Sequence, residues 1–115
     1  MVPVPTGSSG QPQPYTSGLK TNPSAGDVLA TTAPTPIPIG SLTVHILIAS
    51  TVTGSARIQQ LDADGLTVPY EQYVYFLAST PFEINVLLNL PVEGQSIQVI
   101  AGSTLLGSVQ VSIFV

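Results

Sequence analysis

Phe82-Glu-Ile-Asn-Val-Leu-Leu-Asn-Leu90, Ser96-Ile-Gln-Val-Ile-Ala101 and Ser108-Val-Gln-Val-Ser-Ile-Phe-Val115 decide how this chain folds. In the first segment Phe82, Ile84, Val86, Leu88 and Leu90 fall on one side, and Glu83, Asn85 and Asn89 on the other. Ile97, Val99 and Ala101 alternate with Ser96, Gln98 and Ile100, and Val109, Val111, Ile113 and Val115 alternate with Ser108, Gln110, Ser112 and Phe114. Side chains in a strand point to opposite faces with period two, so these are three half-buried strands. Pro91-Val-Glu-Gly94 and the Gly102–Gly107 stretch join them.

Upstream residues must supply the rest of the sheet. Leu42–Ser50 places Val44, Ile46 and Ile48 opposite Thr43, His45 and Leu47. After a turn at Thr53-Gly54 comes Ala56–Leu61, then a turn at Asp62-Ala-Asp64-Gly65, whose residue types tolerate left-handed backbone. In Gln72–Ala78, Tyr73, Tyr75 and Leu77 alternate with Val74, Phe76 and Ala78. Asp27–Thr32 reads as a short first strand, and Pro34–Gly40 as an extended edge segment, because proline cannot donate to a ladder. About six to eight closely spaced strands without a helix predict an all-β fold, an antiparallel β-sandwich or jelly-roll-like domain. Several strands are apolar on both sides: Leu47 stands opposite Ile46, Leu87 opposite Val86, and Ile100 and Phe114 add to the second set. One set is expected to fill the core and the other to lie at a contact between subunits, and a one-residue change of register swaps the two.

Met1–Gly18 differs in kind. It is built from Pro, Gly, Ser, Gln and Thr with Tyr15 as its one aromatic residue, and has no strand or helix period. Its prolines favour a polyproline II strap. We therefore divide the chain into an extended N-terminal arm, residues 1–25, and a β-sandwich domain, residues 26–115.

Only 7% of the 115 residues are charged and the formal net charge is −4, against about 25% charged residues in ordinary soluble domains. Such a surface calls for burial against neighbours. A membrane span is excluded by length, since no apolar run approaches the ~20 residues a spanning helix requires, and a spanning barrel needs more strands than this chain can supply. Lys20 and Arg57 are the only basic side chains, so there is no patch to displace counterions from phosphates, and nucleic acid is excluded as a partner. No cysteine is present, which excludes disulfides and thiolate metal sites. The N-terminus lacks the basic and apolar regions of a signal peptide, and synthesis in a host cytoplasm is expected.

Catalytic constellations are missing. His45 is the single histidine, it sits mid-strand, and no Gly-x-Ser-x-Gly elbow accompanies it. Asp62, Asp64, Glu71, Glu83 and Glu93 lie in turns or on polar faces, where they maintain solubility. Asp62-Ala-Asp64-Gly65 begins like a calcium loop but is not completed by a ligand at the required spacing. No enzyme activity, cofactor or metal is expected. Tyr70, Tyr73 and Tyr75 form the clearest exposed cluster, suited to an interface because tyrosine buries much area while its hydroxyl stays paired. Their rival role is stacking on a glycan.

The stretches Gly26-Asp-Val-Leu-Ala30, Pro36-Ile-Pro-Ile-Gly40 and Thr43–Ser50, with Tyr75-Phe-Leu-Ala78, Pro81-Phe-Glu83, Leu90–Val99 and Val109-Gln-Val-Ser-Ile113, resemble small virion proteins of tailed bacteriophages. The resemblance covers residues 26–115. It implies a non-enzymatic β-sandwich subunit on the capsid surface of a virion, a decoration or cement protein. It further implies a homotrimer whose extended arms hold major capsid protein or other virion subunits together. Val2, Val4 and Tyr15 of the arm, and Tyr70, Tyr73, Tyr75 and Phe114 of the domain, are the expected partner-binding residues. Two rival functions are a receptor- or glycan-binding head of a tail or fibre, and a filament subunit that donates its N-terminal segment as a strand.

Overall fold

A computed structural model describes residues 16–33, 40–90 and 95–114. They form eight strands and no helix: β1 (Thr16–Thr21), β2 (Val28–Thr31), β3 (Gly40–Ser50), β4 (Gly54–Leu61), β5 (Tyr70–Phe76), β6 (Phe82–Leu90), β7 (Ser96–Ala101) and β8 (Ser108–Phe114). Two four-stranded antiparallel sheets, ordered β1-β8-β3-β6 and β2-β7-β4-β5, pack face to face.

The pairings nest. β4 pairs with β5, β3 with β6, β2 with β7 and β1 with β8. The chain is thus one long antiparallel ribbon folded at residues 62–69 and wrapped around its own apolar side, with β3·β8 and β4·β7 closing the wrap. This is the eight-stranded jelly roll, a double-sheet solution to the burial of a sheet's apolar face.

Of the two apolar sets the sequence leaves open, the structure turns one inward. Val44, Ile46 and Ile48 of β3, Ile97 and Val99 of β7, and Val109, Val111 and Ile113 of β8 are all but fully buried, with Ala56, Ile58, Val74, Phe76 and Val86 completing the core. Each buried Val, Ile or Phe side chain contributes roughly 1.5–3 kcal/mol through the area it removes from water.

One core residue comes from a position without a strand pattern. Leu105, in the β7–β8 connection, plugs one end of the sandwich behind Gly54; a Cβ on Gly54 would collide with its side chain. Its backbone N–H donates to the Pro23 carbonyl at 2.9 Å. Hydrogen bonds from Asn22 to Gly107, Thr51 to Ser108, Ser79 to Ser50 and Gly102 to Ser55 knit the remaining connections at the same end.

The expected boundary between an arm of 1–25 and a domain of 26–115 is corrected by β1. Thr16–Thr21 is a sheet strand paired with β8 from Thr16↔Ile113 to Thr21↔Ser108, so the sandwich includes residues 16–21. β1 carries no apolar alternation because backbone pairing specifies it. Its inward position Gly18 lies so close to β2 that a Cβ there would sit 2.5 Å from the Leu29 carbonyl oxygen. Residues 34–39 and 91–94, read as an edge segment and a turn, lie outside the described residues, as do Val2, Val4 and Tyr15 of the arm.

Candidate functional site

Register fixes what each sheet shows to solvent. On the β1-β8-β3-β6 sheet the outward positions include Leu19, Ala49, Leu47, His45, Thr43, Leu87 and Phe114. Leu87 is 73% exposed and Leu19 66% exposed, at opposite edges of the sheet, with Leu47 and Phe114 half-buried between them. Glu83 is the single charged residue among the outward positions of these strands. Three of the four residues expected to form a second apolar set, Leu47, Leu87 and Phe114, therefore meet on one face. Ile100 does not join them. It projects from the other sheet and is already buried within the chain, so it offers little area to a partner.

His45 stands at the centre of this face. Its Nδ1 lies 2.7 Å from Asn85 Oδ1 and its ring is 5.5 Å from that of Phe114, tilted by 54°. With the amide oxygen as the acceptor, Nδ1 is the donor of this hydrogen bond. An amide and a phenyl ring are its contacts, and neither is a nucleophile.

The outer face of the β2-β7-β4-β5 sheet is organised differently. A hydrogen-bonded row crosses three strands: Gln98 Nε2 donates to Gln59 Oε1 at 2.7 Å, and Gln59 Nε2 donates to Glu71 Oε2 at 2.6 Å. Arg57 stands 3.5 Å from the same Glu71 oxygen, and its guanidinium lies 5.7 Å from the centre of the Tyr73 ring. Arg57 is satisfied twice, by a carboxylate and by a ring face.

The three tyrosines do not form one cluster. Tyr73 and Tyr75 face outward and are well exposed, whereas Tyr70 points to the core side, packs against it, and donates its hydroxyl to Gln72 Oε1 at 2.5 Å. The parity rule carries the correction: residues 70 and 73 differ by an odd number, so one strand must send them to opposite faces. Tyr75, with Thr53, Gly54, Ser55, Phe76, Leu77 and Ser103, lines a groove of about 330 Å³ at the end of the sandwich capped by Leu105. Thr53, Ser55 and Ser103 come from separate connections and strand ends, and only their small hydroxyl character marks them in the sequence.

The Asp62–Gly65 turn uses its carboxylates locally. Asp64 Oδ1 accepts from the Leu66 and Thr67 N–H groups, each at 2.8 Å, and Oδ2 accepts from the Thr67 hydroxyl at 2.6 Å. The Thr67 hydroxyl above all, then the two N–H groups, holds the Asp64 carboxyl below its ordinary value. Gly65 takes the left-handed backbone, φ 74°, and Asp62 Oδ1 accepts from Gln95 Nε2 at 2.6 Å. Among the described residues no three His, Asp or Glu side chains converge as metal ligands.

No family model, curated protein or solved structure matches this chain.

Proposed function

We propose that this chain is a non-enzymatic structural subunit of a tailed-phage virion, a decoration protein that strengthens the shell by covering joints between its subunits. The observation that carries the proposal is the outer face of the β1-β8-β3-β6 sheet, where Leu19, Leu47, Leu87 and Phe114 stand among uncharged hydroxyl and amide side chains with Glu83 as the one carboxylate. Exposed apolar surface of this kind is what a protein buries in assembly. A chain with two basic and six acidic side chains has little else to keep that surface in water. Jelly rolls occur in viral capsid domains, but also in lectins and cupins, so the fold supports this function without selecting it.

The residues before β1 strengthen the case. They enter the sandwich at Thr16, on an edge strand beside the apolar face. An extended segment there can add to a neighbour's sheet edge through its backbone groups. Prolines reduce the entropy lost on docking, since φ is already fixed, and many copies on one lattice raise the effective concentration of every site.

The test compares the full chain with one starting at Thr16, which keeps β1. Each is mixed with undecorated capsids, and co-sedimentation and thermal rupture are followed. The full chain is expected to bind in lattice-related stoichiometry and to raise the rupture temperature, and the shortened chain to lose most of both effects. Absence of shell binding by both chains would overturn the proposal.

A further inference from the structure

We propose that the groove beside Tyr75, on the sheet opposite the apolar assembly face, is a binding site for a neutral saccharide. Its volume, about 330 Å³, is at the lower end of the range for small-ligand sites and suits one or two sugar rings. One wall is the Tyr75 ring, 72% exposed, continued by Leu77 at 64%. Gly54, Ser55 and Ser103 also line it.

The chemistry of the lining selects the ligand class. A pyranose presents a patch of C–H groups on one side and a rim of hydroxyls around it. The electron-rich face of an exposed tyrosine receives the C–H patch. The Ser55 and Ser103 hydroxyls can each donate and accept. Thr53 Oγ1 accepts from the Ala78 N–H at 3.0 Å and keeps its own proton to donate.

No carboxylate, ammonium or guanidinium lines the groove, and the nearby Arg57 is already held by Glu71 and Tyr73. An acidic sugar would lose hydration there without gaining a counter-ion. Tyr73, two residues back on the same face of β5, lies about 7 Å away along the strand by the rise per residue. It extends the aromatic platform for a second sugar unit.

The test is a nitrogen–proton NMR titration of the full chain with maltohexaose, cellohexaose and mannohexaose, with hexagalacturonate and octanoate as charged and aliphatic controls. At least one neutral hexasaccharide is expected to shift the Ser55, Tyr75, Leu77 and Ser103 amides at millimolar concentration or below. Tyr75→Ala should weaken that binding about tenfold, the scale of one lost ring contact. Tyr75→Phe, which keeps the ring, should bind within about twofold, and Leu87→Asp on the opposite sheet should bind unchanged. The proposal is overturned if no neutral sugar moves these amides, if Tyr75→Ala binds as the parent does, or if octanoate or hexagalacturonate binds at the groove more tightly than every neutral sugar.

Discussion

Asp64 illustrates how single residues set this structure. Its carboxylate satisfies three donors of its own turn, from the Thr67 hydroxyl and the Leu66 and Thr67 N–H groups, and so its pKa falls below the ordinary value near 3.8. A group lowered in the folded state contributes stability that is fully present above the unfolded pKa and is lost as pH falls through the folded one. The 62–69 turn should therefore keep its geometry at neutral pH and loosen only in acid below the usual carboxylate range. An NMR titration of the Asp64 side-chain carbon checks this, and a midpoint at or above the ordinary value would contradict it. Gly18 makes a different demand. Adding a methyl group 2.5 Å from the Leu29 carbonyl oxygen forces β1 and β2 apart, and Gly18→Ala is expected to cost about 1–3 kcal/mol in urea unfolding. Nothing in the bare letters of Thr16–Thr21 announces that requirement, because it arises from a neighbour eleven positions away in the chain.

Among the elements, β3 is an interior strand with three core residues. It lies between β8 and β6, and its Val44, Ile46 and Ile48 are fully buried. Ile46→Ala should destabilise the fold by about 2–5 kcal/mol, measured as a shift in the urea midpoint, while Thr43→Ala on the solvent side should stay within about 0.5 kcal/mol. β3, β6, β7 and β8 were legible in the sequence because each has a full period-two alternation, but Leu47, Leu87, Ile100 and Phe114 make the second face partly apolar, so the pattern alone left open which set is core. β1 was not, because hydrogen bonds to β8 specify it rather than apolar side chains. Leu105 was hidden among turn residues, and its role appears only when the connections at one end of the sandwich meet. Within β5 the alternation separated Tyr73 from Val74 correctly, yet Tyr70 beyond Pro69 was grouped with the outward ring pair although its parity places it with Val74 and Phe76.

For the whole molecule, the wrapped ribbon brings together residues from opposite ends of the chain, Thr16 with Ile113 and His45 with Phe114. Period and composition prescribe two sheets, but the order of strands within each depends on these distant pairings. A local pattern cannot encode that order. The same wrap distributes two surfaces: the β1-β8-β3-β6 sheet shows a nearly uncharged face with Leu19, Leu47, Leu87 and Phe114 among hydroxyl and amide groups, and the other shows a satisfied Gln–Glu–Arg row with exposed tyrosines at one side. In the proposed function the first of these faces is where the chain assembles. Native mass spectrometry of the full chain and of Leu87→Asp, with thermal unfolding as the folding control, tests it most directly. Leu87 is 73% exposed, so an aspartate there leaves the core intact while placing a charge in the contact. The account predicts a parent species at a small whole multiple of 11.9 kDa and a variant that unfolds at the same temperature but runs as a monomer. A parent that stays monomeric at every concentration, or a folded variant that assembles as the parent does, would contradict it.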